Sequence, residues 1–289
     1  MASTADATPA QGRPPREGRS PTAGLSSPRA SGGTAASALR AVAFDLDGTL
    51  YVGSRPVEGA AAVVALVRDR GLRTLFLTNT SSVGPRRLQE RLAGYGIVAL
   101  VDEIYSSASV TARYLAQRGY RVAYVIGLEG LHDEVRARGL AITTRPAEAE
   151  ALVVGYAPDF DAAGLPTGFR PACEFVAANL DAHFPGEGGV SLPAARETVE
   201  RVATRLGRGY DFCAGKPGTY MVDCVERDLG LTPGEICVVG DSVASDVAMA
   251  RAAGCRSVLI GAEGAARGAD AVVRRLDELP AALDRLTGA

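Results

Sequence analysis

From Leu39 onward, short apolar runs ending in a polar residue alternate with amphipathic stretches of helical period, an alternation that limits the chain to few architectures. Ala41 to Phe44 is apolar and stops at Asp45, Val57 to Arg70 has the spacing of a helix halted by Gly71, and Arg73 to Leu77 is a second strand ending at Thr78. The rhythm continues through a helix from Gly84 to Ala93, a short strand around Ile104 and a helix from Ala108 to Arg118. Arg121 to Ile126, Ala151 to Val154 and Glu174 to Ala177 read as strands, with a helix near Leu128 to Arg138. Pro166, Gly168 and Pro171 disfavour a straight helix in between. The closing section repeats the pattern: strand Tyr210 to Cys213, helix Gly218 to Leu229, strand Ile236 to Val239, helix Ala244 to Ala253 and strand Ser257 to Ile260. Such a chain is an α/β fold, its parallel sheet covered by helices on both faces.

Charge and special residues narrow the chemistry. Lys plus Arg number 31 against 33 for Asp plus Glu, a net charge of -2. That balance offers little attraction to a phosphate backbone or anionic lipid and argues against nucleic acid or membrane as partner. No run approaches the ~18 apolar residues of a membrane span, and no apolar secretory core stands at the N-terminus. With only two histidines, His132 and His183, His-rich zinc sites are excluded and catalysis must lean on carboxylates. Five cysteines, Cys173, Cys213, Cys224, Cys237 and Cys255, form no C-x-x-C pair and read as buried thiols of a reducing, cytoplasmic compartment. Residues 1–37, with five Pro, five Gly and a single Leu, cannot offset their ordering entropy and are expected to be a disordered tail.

In an open parallel sheet, ligands bind beyond the carboxyl ends of the strands. Four places there carry polar residues: Asp45-Leu46-Asp47-Gly48-Thr49, Thr78-Asn79-Thr80, Gly215-Lys216-Pro217, and Gly240-Asp241 with Asp246. Each alone is ordinary turn or helix-cap chemistry. Together they supply hard oxygen ligands for Mg²⁺, plus a lysine and a hydroxyl for phosphoryl oxygens.

At these residues, in this order, the chain resembles the haloacid dehalogenase superfamily, and within it the capped phosphatases of subclass IIA. The match spans about Ala41 to Ile260 and includes Asp102-Glu103-Ile104-Tyr105-Ser106-Ser107, Val125-Ile126-Gly127 and Asn179-Leu180-Asp181. It implies a Rossmann-like core over residues 38–116 and 208–289, interrupted by an inserted α/β cap of the C2 type over residues 117–207. The family pattern has Thr and Ser where this chain has Ala178 and Gly218, and a helix where Pro166 to Pro171 stands.

The resemblance implies Mg²⁺-dependent hydrolysis of a small phosphorylated metabolite, a sugar phosphate or similar ester. Asp45 is the expected nucleophile and Asp47 the general acid and base, which requires its pKa to be raised by burial or by a negative neighbour. Thr78, with the Asn79 and Thr80 amides, is expected on the phosphoryl group, and Lys216 on its charge. Asp45, the Asp47 carbonyl and Asp241 are expected on the metal, with Asp246 orienting from behind. Asp181 and His183, on the cap loop Asn179 to Pro185, are expected at the leaving group; His132 reads as a helix-surface residue. Asp47 argues against dehalogenation, which does not need it. Nucleotides, pyridoxal phosphate and glycerol phosphate remain open as substrates, as does a homo-oligomer built through the cap. The rival class is a catalytically idle sensor of a phosphorylated metabolite, for which an intact Asp47 has no use.

Overall fold

The computed structural model describes residues 38–186, 190–261 and 268–287. The expected tail lies outside them. The first part of the chain forms β1 (Ala41–Phe44), a small hairpin of β2 (Tyr51–Val52) and β3 (Arg55–Pro56), α1 (Ala60–Asp69), β4 (Arg73–Thr78), α2 (Pro85–Gly94), β5 (Ile104–Ser106) and α3 (Ser107–Gln117). The middle forms β6 (Val122–Ile126), α4 (Glu129–Ala137), β7 (Ala141–Ile142), β8 (Ala151–Val154), β9 (Glu174–Ala177), β10 (His183–Pro185), β11 (Ser191–Pro193), α5 (Ala195–Leu206) and β12 (Phe212–Cys213). The chain closes with α6 (Tyr220–Leu229), β13 (Ile236–Gly240), α7 (Ala248–Ala253), β14 (Arg256–Ile260), β15 (Ala271–Val273) and α8 (Leu279–Thr287).

The core is a six-stranded sheet in the order β15-β14-β13-β1-β4-β5, parallel throughout. Its central strand β1 is buried on both sides, which is why it is apolar at every position. Val42 and Phe44 pack with Val64, Phe76 and Leu279 on one face, whereas Ala41 and Ala43 pack with Leu77, Met221 and Met249 on the other. Phe44 and Phe76, fully buried with ring centroids 6.4 Å apart, each contribute about 1.5–3 kcal/mol through burial.

The cap is a second parallel sheet in the order β12-β9-β8-β6-β7. Helices α3 and α4 cover one face through Ala112, Leu115, Leu131 and Val135, and α5 covers the other through Val199 and Val202. Between the units, Tyr114 of α3 lies flat on Phe212, centroids 3.8 Å apart, and edge-on to Tyr220 of α6 at 5.6 Å.

Several elements depart from the sequence expectation. The strand around Phe212, expected in the core beyond residue 207, pairs with β9, Phe212 opposite Val176, so the cap sheet extends past that boundary. Expected as one α-helix from Ala244, the segment after β13 instead begins with a π turn over Val243–Val247 before α7. Hydrogen bonds on Asp246 account for that wider turn, as described below. The hairpins β2–β3 and β10–β11, strands β7 and β15, and helices α5 and α8 are additional to the expected elements. Among the described residues no helix is long and apolar enough to cross a membrane.

Candidate active site

Thr78 ends β4, and Asp45 and Asp241 follow β1 and β13, three adjacent strands whose register sets Phe44 beside Phe76 and Val239. Parallel strands about 4.8 Å apart therefore deliver a hydroxyl and two carboxylates to one spot on the sheet edge. After Asp45 the backbone coils back: Leu46 O accepts hydrogen bonds from the amides of Thr49, Leu50 and Tyr51, and Gly48 N donates to Tyr51 O at 2.8 Å. Gly48 sits at φ +96, and a Cβ there would lie 2.2 Å from Asp241 Oδ2. No other residue type fits, since the turn needs a left-handed backbone and the carboxylate occupies the side-chain volume.

Lys216, 2% exposed, reaches the same spot, its Nζ donating to Asp45 Oδ1 at 2.6 Å, Asp246 Oδ1 at 2.7 Å and Leu77 O at 3.0 Å. Burial pulls this ammonium down, but the Asp246 and Asp45 carboxylates outweigh it and hold the lysine above its ordinary pKa. Asp246 is held from both sides, because Ser242 N donates to its Oδ2 at 3.1 Å. These two bonds draw Asp246 toward the sheet, and the π turn that carries it lets the chain comply, as such turns do at functional sites.

The carboxylates of Asp45, Asp241 and Asp246 offer oxygens within 4.8 Å of one another. Asp45 Oδ2 is buried without a hydrogen-bond partner. Burial pushes the Asp45 carboxyl well above the usual range; Lys216 pulls it back, and Asp246 and Asp241 add to the rise. Asp241, partly stripped of hydration in the cavity wall and repelled by Asp246, is pushed up to about 6. A divalent cation fits this arrangement: hard oxygen donors, one of them a buried carboxylate oxygen without a partner, in a crowd of negative charge.

Asp47 faces the same cavity. Burial raises its pKa, opposed by hydrogen bonds from Thr80 Oγ1 at 3.1 Å and Tyr51 OH at 3.2 Å, both donated to Oδ2. The general-acid role asks for a shift in this direction. Thr78 is buried, and its Oγ1 accepts from Thr80 N at 3.1 Å. The Thr80 amide, expected on a phosphoryl group, is thus turned back on Thr78, as short hydroxyl turns favour. The Asn79 side chain bonds Lys216 and Asp181.

Across the opening stands the cap, and the two units enclose a cavity of about 660 Å³. Asp181 and His183 line it, as do Phe184 of the same loop, Tyr156 and the core residue Arg91, the last two belonging to none of the sequence motifs. Tyr156 and Phe184 meet edge to face at 5.7 Å. Tyr156 lies two residues beyond the end of β8, so the strand-end rule could have found it. Arg91 stacks over the Tyr51 ring at 5.5 Å. His132 lies on α4 and is not among the cavity residues.

Comparison with known proteins agrees with this geometry. A family model described as haloacid dehalogenase-like hydrolase matches residues 42–141, and a second, HAD-hydrolase-like, matches 213–283. Sugar-phosphatase AraL of Bacillus subtilis is 31% identical over 224 residues, covering 76% of this chain and 82% of its own. Chronophin of Rattus norvegicus is 33% identical, covering 75% of each. Among solved structures, a p-nitrophenyl phosphatase from Archaeoglobus fulgidus superposes with TM-score 0.77 at 27% identity, over 85% of this chain and all of its own. Relatives above 30% identity over three quarters of the chain and of their own length settle the family: the chain belongs to the haloacid dehalogenase-like hydrolases, among the capped phosphatases of subclass IIA.

Proposed function

We propose that the chain hydrolyses small phosphomonoesters, with Mg²⁺, through an aspartyl-phosphate on Asp45. The observation that carries this reading is the buried, unpartnered Asp45 Oδ2 beside Asp241, with Lys216 on the other oxygen and Asp47 two positions away. The names of relatives support the substrate class: a sugar phosphatase, a 5'-nucleotidase and a human glycerol-3-phosphate phosphatase.

Asp45 attacks phosphorus as the ester P–O bond breaks, and Asp47 passes its proton to the departing oxygen. A water then attacks the acyl-phosphate, its proton taken by Asp47, which frees phosphate and restores Asp45. Lys216 keeps Asp45 ionised and offsets charge gathering on the phosphoryl oxygens, while Thr78 donates its hydroxyl to one of them. Mg²⁺ would be held by Asp45, Asp241 and the Asp47 carbonyl, where it supplies Lewis-acid stabilisation of the phosphoryl oxygens. Asp246, whose oxygens are taken by Lys216 and Ser242, orients the lysine. The leaving group would fill the cap side of the cavity, where His183 offers a polar contact and Tyr156 and Phe184 an apolar wall.

A phosphate-release panel of sugar phosphates, nucleoside monophosphates, glycerol phosphate, pyridoxal phosphate and p-nitrophenyl phosphate, with and without Mg²⁺, tests the proposal. Turnover of at least one ester that EDTA abolishes and Mg²⁺ restores is expected. Binding without turnover across the panel would favour the idle sensor instead.

A further inference from the structure

The Asn79 side chain is the crossing point of three loops. Its Oδ1 accepts from Lys216 N at 2.8 Å and its Nδ2 donates to Lys216 O at 3.0 Å, so the carboxamide pairs with the lysine backbone much as a neighbouring strand would. The second Nδ2 hydrogen goes to Asp181 Oδ1, on the cap loop, at 2.9 Å. The Asn79 carbonyl meanwhile accepts from Asn179 Nδ2 at 2.7 Å and from Ser107 Oγ at 2.8 Å. Packing around the crossing is tight enough that a Cβ on Gly215 would lie 2.6 Å from Asn79 Oδ1 and 2.7 Å from Ala178 O. Asn79 directly follows Thr78, and Lys216 carries the ammonium that grips Asp45.

We propose that Asp181 is a positioning residue: by fixing the Asn79 carboxamide it makes the seating of the cap loop a condition for the placement of Lys216 and Thr78. Rotation about the last side-chain bond of Asn79 would exchange its donor and acceptor. The Lys216 backbone presents one of each, in a fixed order. Asp181 Oδ1 accepts the second Nδ2 hydrogen and so ties to the cap loop the orientation that the Lys216 backbone selects. Without it the carboxamide keeps two bonds and loses its tie to the cap, and a misplacement of the lysine by about 1 Å is enough to slow chemistry on the order of 100-fold. The inference rests on the phosphatase reading for its kinetic form, not for its structural form.

The test compares Asp181→Ala with Asp181→Asn, whose carboxamide oxygen still accepts from Asn79. Against p-nitrophenyl phosphate and two unrelated alkyl phosphates, Asp181→Ala should lower kcat at least tenfold by a common factor, leaving the ranking of substrates unchanged. Asp181→Asn should recover it to within about threefold of wild type. Hydrogen exchange at the Lys216 amide should be faster in the Ala variant and near wild type in the Asn variant, a readout that stands even if no phosphatase activity is found. If the Ala variant melts early, Asp181→Ser, too short to reach Nδ2, replaces it. A reordered ranking with the aryl phosphate spared would mean that Asp181 touches the leaving group and overturns the proposal. So would unchanged kcat and exchange in the Ala variant, or an Asn variant as impaired as Ala.

Discussion

Replacing Lys216 with methionine probes the electrostatics of the site without any substrate. Lys216 Nζ lies 2.6 Å from Asp45 and 2.7 Å from Asp246, and none of the three side chains is more than 8% exposed. Methionine fills a similar volume and leaves two carboxylates with no cation, so the loss should approach the roughly 3–5 kcal/mol found when one partner of a buried ion pair is removed. At about 2–4 °C per kcal/mol for a chain of this size, that is on the order of 6–20 °C in melting temperature. The size of the loss should depend on pH, with a definite sign. Lys216 has a raised folded pKa, so its contribution is complete below its unfolded value near ~10.4 and does not fade between pH 5 and 7.5. Asp45, already pushed up by burial, loses in the variant the neighbour that pulls it down. Its folded pKa then stands further above the unfolded ~3.9, and stability falls as pH rises from there through the folded value. Thermal melts of both proteins in EDTA at pH 5 and 7.5 should therefore show a wider gap at pH 7.5. A loss below about 1 kcal/mol, or a gap that narrows as pH rises, would refute the reasoning.

Two further perturbations follow from the geometry. Gly48→Ala puts a methyl 2.2 Å from Asp241 Oδ2 at φ +96 and should cost about 1–2 kcal/mol of backbone strain, with kcat at least tenfold lower and the Mg²⁺ requirement raised; Mg²⁺ titrations indistinguishable from wild type would contradict it. Cys237 is fully buried and its thiol is pushed up to about 12, so it should not react with a disulfide reagent at pH 8 until urea unfolds the chain, and prompt labelling of it in the native protein would show the burial to be wrong.

Asp45, Asp47, Lys216 and Asp241 were legible because each follows an apolar strand within three residues. Residues of the cavity wall were harder to see. Arg91 is one of several arginines on α2, and only the packing of that helix brings its guanidinium over Tyr51 and into the cavity. Helix α5 does carry a readable signal, with Ala195, Thr198, Val199 and Val202 buried at helical spacing, yet the Pro- and Gly-rich stretch before it masks the rhythm. Strand β12 is two residues long, and local pattern says nothing of which sheet it joins. The Asn79 carboxamide is the deepest case: its partners lie 102 and 137 positions away, and no local pattern reports contacts of that span.

Rapid quenching of the Mg²⁺-loaded enzyme with p-nitrophenyl phosphate in acid, followed by peptide mass spectrometry, addresses the covalent step itself. The peptide spanning Ala41 to Thr49 should carry one phosphoryl group on Asp45, present within the first turnover and absent from Asp45→Asn. Turnover that continues with Asp45 unmodified at every quench time, or a phosphoryl group found on another residue, would contradict Asp45 as the nucleophile.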